Sequence, residues 1–155
     1  MESTDIYQAL ASCELFKGLE QSEISIIANI CQVKNYEAGE SVYQQGDFGE
    51  YLYIIAEGHV VLERTMNIGS RQGQVVLATL GKGRVFGCWG TLLDEPHVMM
   101  LTTFCQKPSK IILLKGAELR ELMLSNTRLG FNVMEKLCFL LRDRIEAAYG
   151  AMEKI

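Results

Sequence analysis

Residues 85–97 read Val-Phe-Gly-Cys-Trp-Gly-Thr-Leu-Leu-Asp-Glu-Pro-His. A strand ends at Phe86, the chain turns at Gly87, and about two helical turns follow until Pro96 stops them. Backbone N–H groups at the start of such a helix have no acceptor within it. Together with the helix dipole they favour an anion. The chemistry on offer is therefore anion binding by main chain. The stretch holds no lysine or arginine, and its one side chain able to take a positive charge near neutral pH is His97.

Other chemistry has less to work with. Five cysteines (Cys13, Cys31, Cys88, Cys105 and Cys138) are odd in number, widely spaced and without a C-x-x-C pair. They read as reduced, mostly buried thiols rather than a disulfide framework or zinc site. The two histidines, His59 and His97, form no H-x-H or H-E-x-x-H motif. Neither a nucleophile–base pair nor a metal cluster can be picked out, so the chain reads as a non-enzyme.

A length of 155 residues with a 48% hydrophobic share predicts one domain, 1–155, with a full core. The net charge is −4, with both signs mixed along the chain. A nucleic-acid-binding face needs clustered Lys and Arg, so no nucleic acid is expected as a partner. No apolar run approaches the ~20 residues of a membrane span, and Glu2 and Asp5 stand where a secretion signal would be basic. The expectation is a cytoplasmic protein with no membrane partner.

The elements that must hold the 85–97 stretch fall into three blocks. Residues 3–33 read as N-terminal helices, the second beginning near Ser22 and Glu23, which suit a cap and the helix dipole. Residues 34–115 change to short β-rich runs: 42–43, 51–55, 59–62, 74–80, 99–104 and 110–114. Glycines lie between several of them. Short strands with closely spaced turns predict an antiparallel roll or sandwich rather than alternating β-α units. Residues 116–155 return to helix, first over 116–123 and then from about Leu129 to Met152, with a polar break at Ser125-Asn126.

This order of elements resembles the cyclic-nucleotide-binding domain, the module of the catabolite activator protein, protein kinase A regulatory subunits and cyclic-nucleotide-gated channels. Leu15-Phe16-Lys17-Gly18-Leu19 is similar to the family's helical entry. Tyr36-Glu37-Ala38-Gly39-Glu40, Gln45-Gly46-Asp47, Leu52-Tyr53-Ile54-Ile55-Ala56-Glu57-Gly58, Leu77–Gly83, Phe86-Gly87 and Leu92-Leu93-Asp94-Glu95-Pro96 follow in register. The resemblance covers nearly the whole chain. It implies an α+β, mainly β fold: an antiparallel β-roll (a double-stranded β-helix, jelly-roll-like) flanked by N-terminal helices and two C-terminal helices.

The opening stretch then falls on the family's phosphate-binding cassette, here 86–97. By family position the ligand-binding residues are Phe86, Gly87, Cys88, Trp89, Gly90, Thr91, His97, Val98 and Met99. In the family a glutamate follows Phe-Gly and accepts from the ribose 2′-hydroxyl, and an arginine after the proline pairs with the cyclic phosphate. This sequence has Cys88 and His97 at those positions, with Val98 and Met99 in place of small residues. A Phe-Gly-Glu does occur at 48–50, but it follows Gln45-Gly46-Asp47 and belongs to an earlier hairpin, which makes Glu50 a turn or rim residue. Removing one partner of a buried charged pair costs roughly 2–5 kcal/mol, and losing the ribose acceptor adds about 1–3 kcal/mol. A micromolar site would become millimolar or weaker. The expected ligand is a cyclic nucleotide or another small anion, with ordinary cAMP and cGMP binding weakened.

The last helix carries two apolar lines. Phe131, Met134, Cys138, Leu141, Ile145, Ala148 and Met152 form one, and Val133, Leu137 and Leu140 the other. One line can cover the roll while the other meets a second copy, so a homodimer through this helix is expected, with Phe131, Met134, Cys138, Leu141, Ile145 and Ala148 in its interface. Two function classes follow. One is a regulatory sensor domain of cyclic-nucleotide-binding type. The other is a dimerisation or protein-interaction module with no small ligand.

Overall fold

The computed structural model describes residues 3–87, 89–95 and 97–154. Cys88 and Pro96, both in the cassette, lie outside the described residues, as do Met1, Glu2 and Ile155. Two helices, α1 (Ser3–Ser12) and α2 (Gln21–Ala28), lead into eight strands. These are β1 (Cys31–Tyr36), β2 (Ser41–Tyr43), β3 (Tyr51–Glu57), β4 (Val60–Ile68), β5 (Arg71–Leu80), β6 (Val85–Gly87), β7 (Thr102–Cys105) and β8 (Ser109–Lys115). A five-residue 3-10 helix, Trp89–Leu93, follows β6, and α3 (Gly116–Ser125) and α4 (Thr127–Met152) close the chain.

The strands form two four-stranded antiparallel sheets, ordered β1-β8-β3-β6 and β2-β7-β4-β5. Within the first sheet β3 and β8 are buried on both faces, which explains why Tyr51–Ala56 and Ile111–Leu114 are nearly continuous apolar runs. Leu52, Ile54, Ile112 and Leu114 point to the helices and meet Phe16, Ile27, Leu119 and Val133. The alternate residues Tyr53, Ile55 and Ile111 point into the roll and meet Val60, Leu62, Leu80 and Phe86. Period-two alternation thus serves two separate cores. The expected mainly-β roll with flanking helices is the fold observed.

Several boundaries differ from expectation. The helical block assigned to 3–33 ends earlier, because β1 begins at Cys31, opposite Leu114 of β8. Residues 31–36 are too polar and too short to show their alternation, and it is pairing with β8 that makes them a strand. Helix α2 is closed by Glu20 and Glu23 rather than by Ser22. The Glu20 N–H donates to the Glu23 carboxylate at 2.9 Å. Glu23 is buried, and Arg128 of α4 meets it at 2.6 Å, so the cap also ties α2 to α4. The 99–104 run is a strand only from Thr102. Strands β4 and β5 extend well beyond 59–62 and 74–80 as a polar, exposed ribbon.

Of the described thiols two are buried as small apolar side chains, as expected, and two are not. Cys13 and Cys105 are buried, Cys31 is partly buried and Cys138 is exposed. Burial pushes the Cys13 thiol up to about 11 and the Cys31 thiol up to about 12.

Candidate functional site

Strand β6 delivers the cassette. It pairs with β3 through Leu52–Gly87, Tyr53–Phe86 and Ile54–Val85. Phe86 is held by its rings: it stacks on Tyr53 at 5.1 Å between centroids and lies 6.0 Å from Tyr43. At Gly87 the backbone takes φ +129°, and a Cβ there would sit 2.7 Å from the Tyr51 carbonyl oxygen. Only glycine fits such a turn without strain. The expected two turns of helix are one short 3-10 segment, Trp89–Leu93, which ends at Asp94 with φ 57°. Arg120 of α3 donates to the Leu92 carbonyl oxygen and pins that segment.

A cavity of about 230 Å³ opens between the roll and α4. Phe86 and Gly87 of β6 line it, with Trp89 beside them. Tyr43, Leu62 and Leu77 come from β2, β4 and β5, and Met100 and Leu101 from the segment before β7. Helix α4 covers it with Leu141, Arg144, Ile145 and Ala148. Among the described lining residues Arg144 carries the one formal charge. Its side chain is 15% exposed, and its guanidinium donates to the Val85 carbonyl oxygen at 2.8 Å and lies 3.9 Å from Glu14. Burial pulls its pKa below the usual arginine value, against the opposing pull of Glu14.

The expected site residues are only partly brought together. Phe86, Gly87 and Trp89 face the cavity. Gly90 and Thr91 belong to the 3-10 segment, and Cys88 is outside the described residues. His97, Val98 and Met99 are not among the described residues that line the cavity. They run antiparallel to the 46–49 turn: the His97 carbonyl accepts from the Gly49 N–H at 3.0 Å, Val98 bridges Phe48, and the Met99 N–H donates to Asp47 O at 2.7 Å. His97 is half-exposed, Val98 exposed and Met99 buried. The Phe48-Gly49-Glu50 segment is thus the cassette exit's neighbour, and Glu50 is exposed just before β3.

The helix line divides the same way. Leu141, Ile145 and Ala148 line the cavity. Phe131, Met134 and Cys138 lie away from it on the outer face, with Phe131 70% exposed. The second line, Val133, Leu137 and Leu140, is buried on the helix-side core. Sequence reasoning missed Arg144. Its signal is an arginine set at helical spacing between Leu137, Leu140, Leu141 and Ala148, a charge inside an otherwise apolar stripe.

Among the described residues no three His, Cys, Asp or Glu side chains come together as a metal site, and no helix is long and apolar enough to cross a membrane.

Comparison with known proteins agrees with this geometry. Residues 33–126 match the family model of the cyclic nucleotide-binding domain. The chain is 40% identical over 81 residues to the cyclic AMP receptor protein of Thermus thermophilus, covering 52% of this chain and 36% of that protein. It is 30% identical over 110 residues to the cGMP-dependent protein kinase of Plasmodium berghei, covering 66% of this chain and 12% of that one. It therefore spans well under half the length of these relatives. A cyclic nucleotide-binding domain from Methylobacillus flagellatus superposes with a TM-score of 0.77 at 20% identity, over 99% of this chain and 84% of that one. The match over 33–126, more than half of the chain, makes it a member of the cyclic nucleotide-binding domain family.

Proposed function

We propose that residues 1–155 act as one non-catalytic regulatory module, a ligand-sensing domain whose cassette holds cAMP and cGMP only weakly. The observation that carries the reading is the cavity between roll and α4, in which Phe86, Gly87 and Trp89 supply an apolar wall and Arg144 the charge. The family's ribose and phosphate anchors fall on Cys88 and His97. A thiol is a poor acceptor and an imidazole is no guanidinium fork. The ligand is a cyclic nucleotide held loosely or another small anion. The module works in the cytoplasm, without nucleic acid or membrane as partner. Titrating cAMP and cGMP into the unmodified protein tests the reading.

The output is a homodimer through α4. Phe131, Met134, Phe139, Tyr149 and Met152 are exposed on that helix while Leu129, Val133, Leu137 and Leu140 bury its other side. A soluble helix with an apolar outer line is suited to a second copy. Leu141 and Ile145 also line the cavity, so the clean test charges residues away from it. The unmodified protein is expected to sediment as a dimer and Phe131→Glu with Met134→Glu as a folded monomer. Monomeric sedimentation of the unmodified protein at high concentration would remove the dimer. The same exposed line favours the second reading, a dimerisation module with no ligand, and that reading stands if no small molecule fills the cavity.

A further inference from the structure

The cavity combines an apolar lining with a half-buried arginine that comes from α4 rather than from the cassette. Two arginines share one carboxylate beside it. Arg84 Nε lies 2.7 Å from Glu14 Oε2, close but poorly aligned, an ion pair rather than a directed hydrogen bond. Arg144 reaches the other oxygen of Glu14 only at 3.9 Å. Glu14 is further engaged by the Val85 N–H at 2.7 Å. Asp143, next to Arg144 in sequence, lies 3.5 Å from Arg142. Glu14 is shared between Arg144 and the part-exposed Arg84, which is not among the described lining residues, and with Asp143 acting only from the side Arg144 has no close bidentate carboxylate of its own. A guanidinium has five N–H donors, and the Val85 carbonyl takes one of them. Buried charge without a full partner is costly, and an anion entering the cavity would relieve that cost.

We infer that Arg144 is the anion-binding residue of this cavity and that the ligand is a largely apolar molecule bearing one anionic group, such as a hydrophobic carboxylate. The inference rests on the reading of the chain as a ligand-sensing module and names the ligand class that reading leaves open. Leu62, Leu77, Phe86, Trp89 and Leu141 contact the apolar body, and Arg144 fixes the anionic end. A sugar ring with free hydroxyls finds few polar partners on such a wall, whereas an alkyl or aryl chain loses nothing there. Because Arg144 bonds Val85 at the start of β6 and rides on α4, engaging it also couples the ligand to the helix proposed as the dimer face.

The test compares acids with alcohols of the same body. Phenylbutyrate and octanoate are titrated against phenylbutanol and octanol by calorimetry, with the fluorescence of Trp89, the chain's one tryptophan, as a second readout. The acids are expected to bind at least about tenfold tighter than the alcohols, the size of one charge-assisted hydrogen bond. Arg144→Met should abolish that preference while leaving alcohol affinity nearly unchanged, and Arg144→Lys should keep part of it. Arg144→Gln, which retains a donor for Val85 O without the charge, serves if Arg144→Met does not fold, and it too should lose the preference. Equal binding of acid and alcohol overturns the inference. So does a preference that survives Arg144→Gln, or no saturable binding of either acid up to its solubility. A purely structural Arg144 would lower all affinities together and leave the acid-to-alcohol ratio unchanged. Tight cAMP binding would instead sink the weak-nucleotide reading without altering the acid–alcohol comparison, so the two failures are distinguishable.

Discussion

Exchanging Cys88 for glutamate and His97 for arginine together is expected to raise the affinity for cAMP by roughly one and a half to three and a half decades. The estimate counts only the arginine–phosphate pair, about 2–5 kcal/mol read in the gaining direction, and the ribose acceptor would add to it. Glutamate would restore an acceptor for a ribose hydroxyl, and arginine a planar fork for a phosphate. Position 97 begins the segment that pairs with the 46–49 turn, and its carbonyl is held by the Gly49 N–H. Its side chain can change without loss of that pairing. Val98 is exposed and Met99 is buried, so the larger residues at these positions project away from each other. Calorimetry on the two single variants and the pair checks the expectation. An affinity for the pair no better than that of the unmodified protein would show that the cavity wall, not the two anchors, excludes the nucleotide.

Gly87→Ala is expected to destabilise the protein by about 2–6 kcal/mol, combining a strained backbone and an overpacked contact. The backbone there is at φ +129°, and the new Cβ would stand 2.7 Å from the Tyr51 carbonyl oxygen and 2.9 Å from Tyr53 Cδ2. Neither can retreat easily, because Tyr53 stacks on Phe86 and Tyr51 of β3 is paired with Lys115 of β8. Against a typical total of about 5–15 kcal/mol, that is a large share. Gly73 on β5 is the control, since nothing lies within 4 Å of a Cβ there. Urea denaturation of both alanine variants gives the answer, and equal midpoints would contradict the close approach at Gly87.

What was legible in the sequence depended on whether a residue's neighbours in sequence are also its neighbours in space. Strand β3 could be read because both its faces are buried and its apolar run is unbroken. Strand β1 could not, because its alternation from Cys31 to Lys34 is only four residues long and is broken at Asn35, and its place is decided by β8 some eighty residues away. The far half of the β4–β5 ribbon is largely exposed, Ile68 and Val76 included, and its mixed sequence gives no burial signal. The turn at Phe86-Gly87 was legible, since a glycine after a buried aromatic marks a position with few alternatives. The cavity was not. Its wall is assembled from β2, β4, β5, β6 and α4, and an arginine on a helix reads as solvent-facing until the roll is placed beneath it. The two apolar lines of α4 were legible as lines. Which of them faces inward required the core: Val133, Leu137 and Leu140 are covered, and Phe131 is not.

The central claim is that the scaffold of a cyclic nucleotide-binding domain persists here while its nucleotide anchors do not. It is tested most directly by calorimetric titration of cAMP into the unmodified protein at neutral pH and moderate salt. The account predicts millimolar or weaker binding, as the proposed loss of two polar partners implies. Saturable binding in the low-micromolar range or tighter would contradict it.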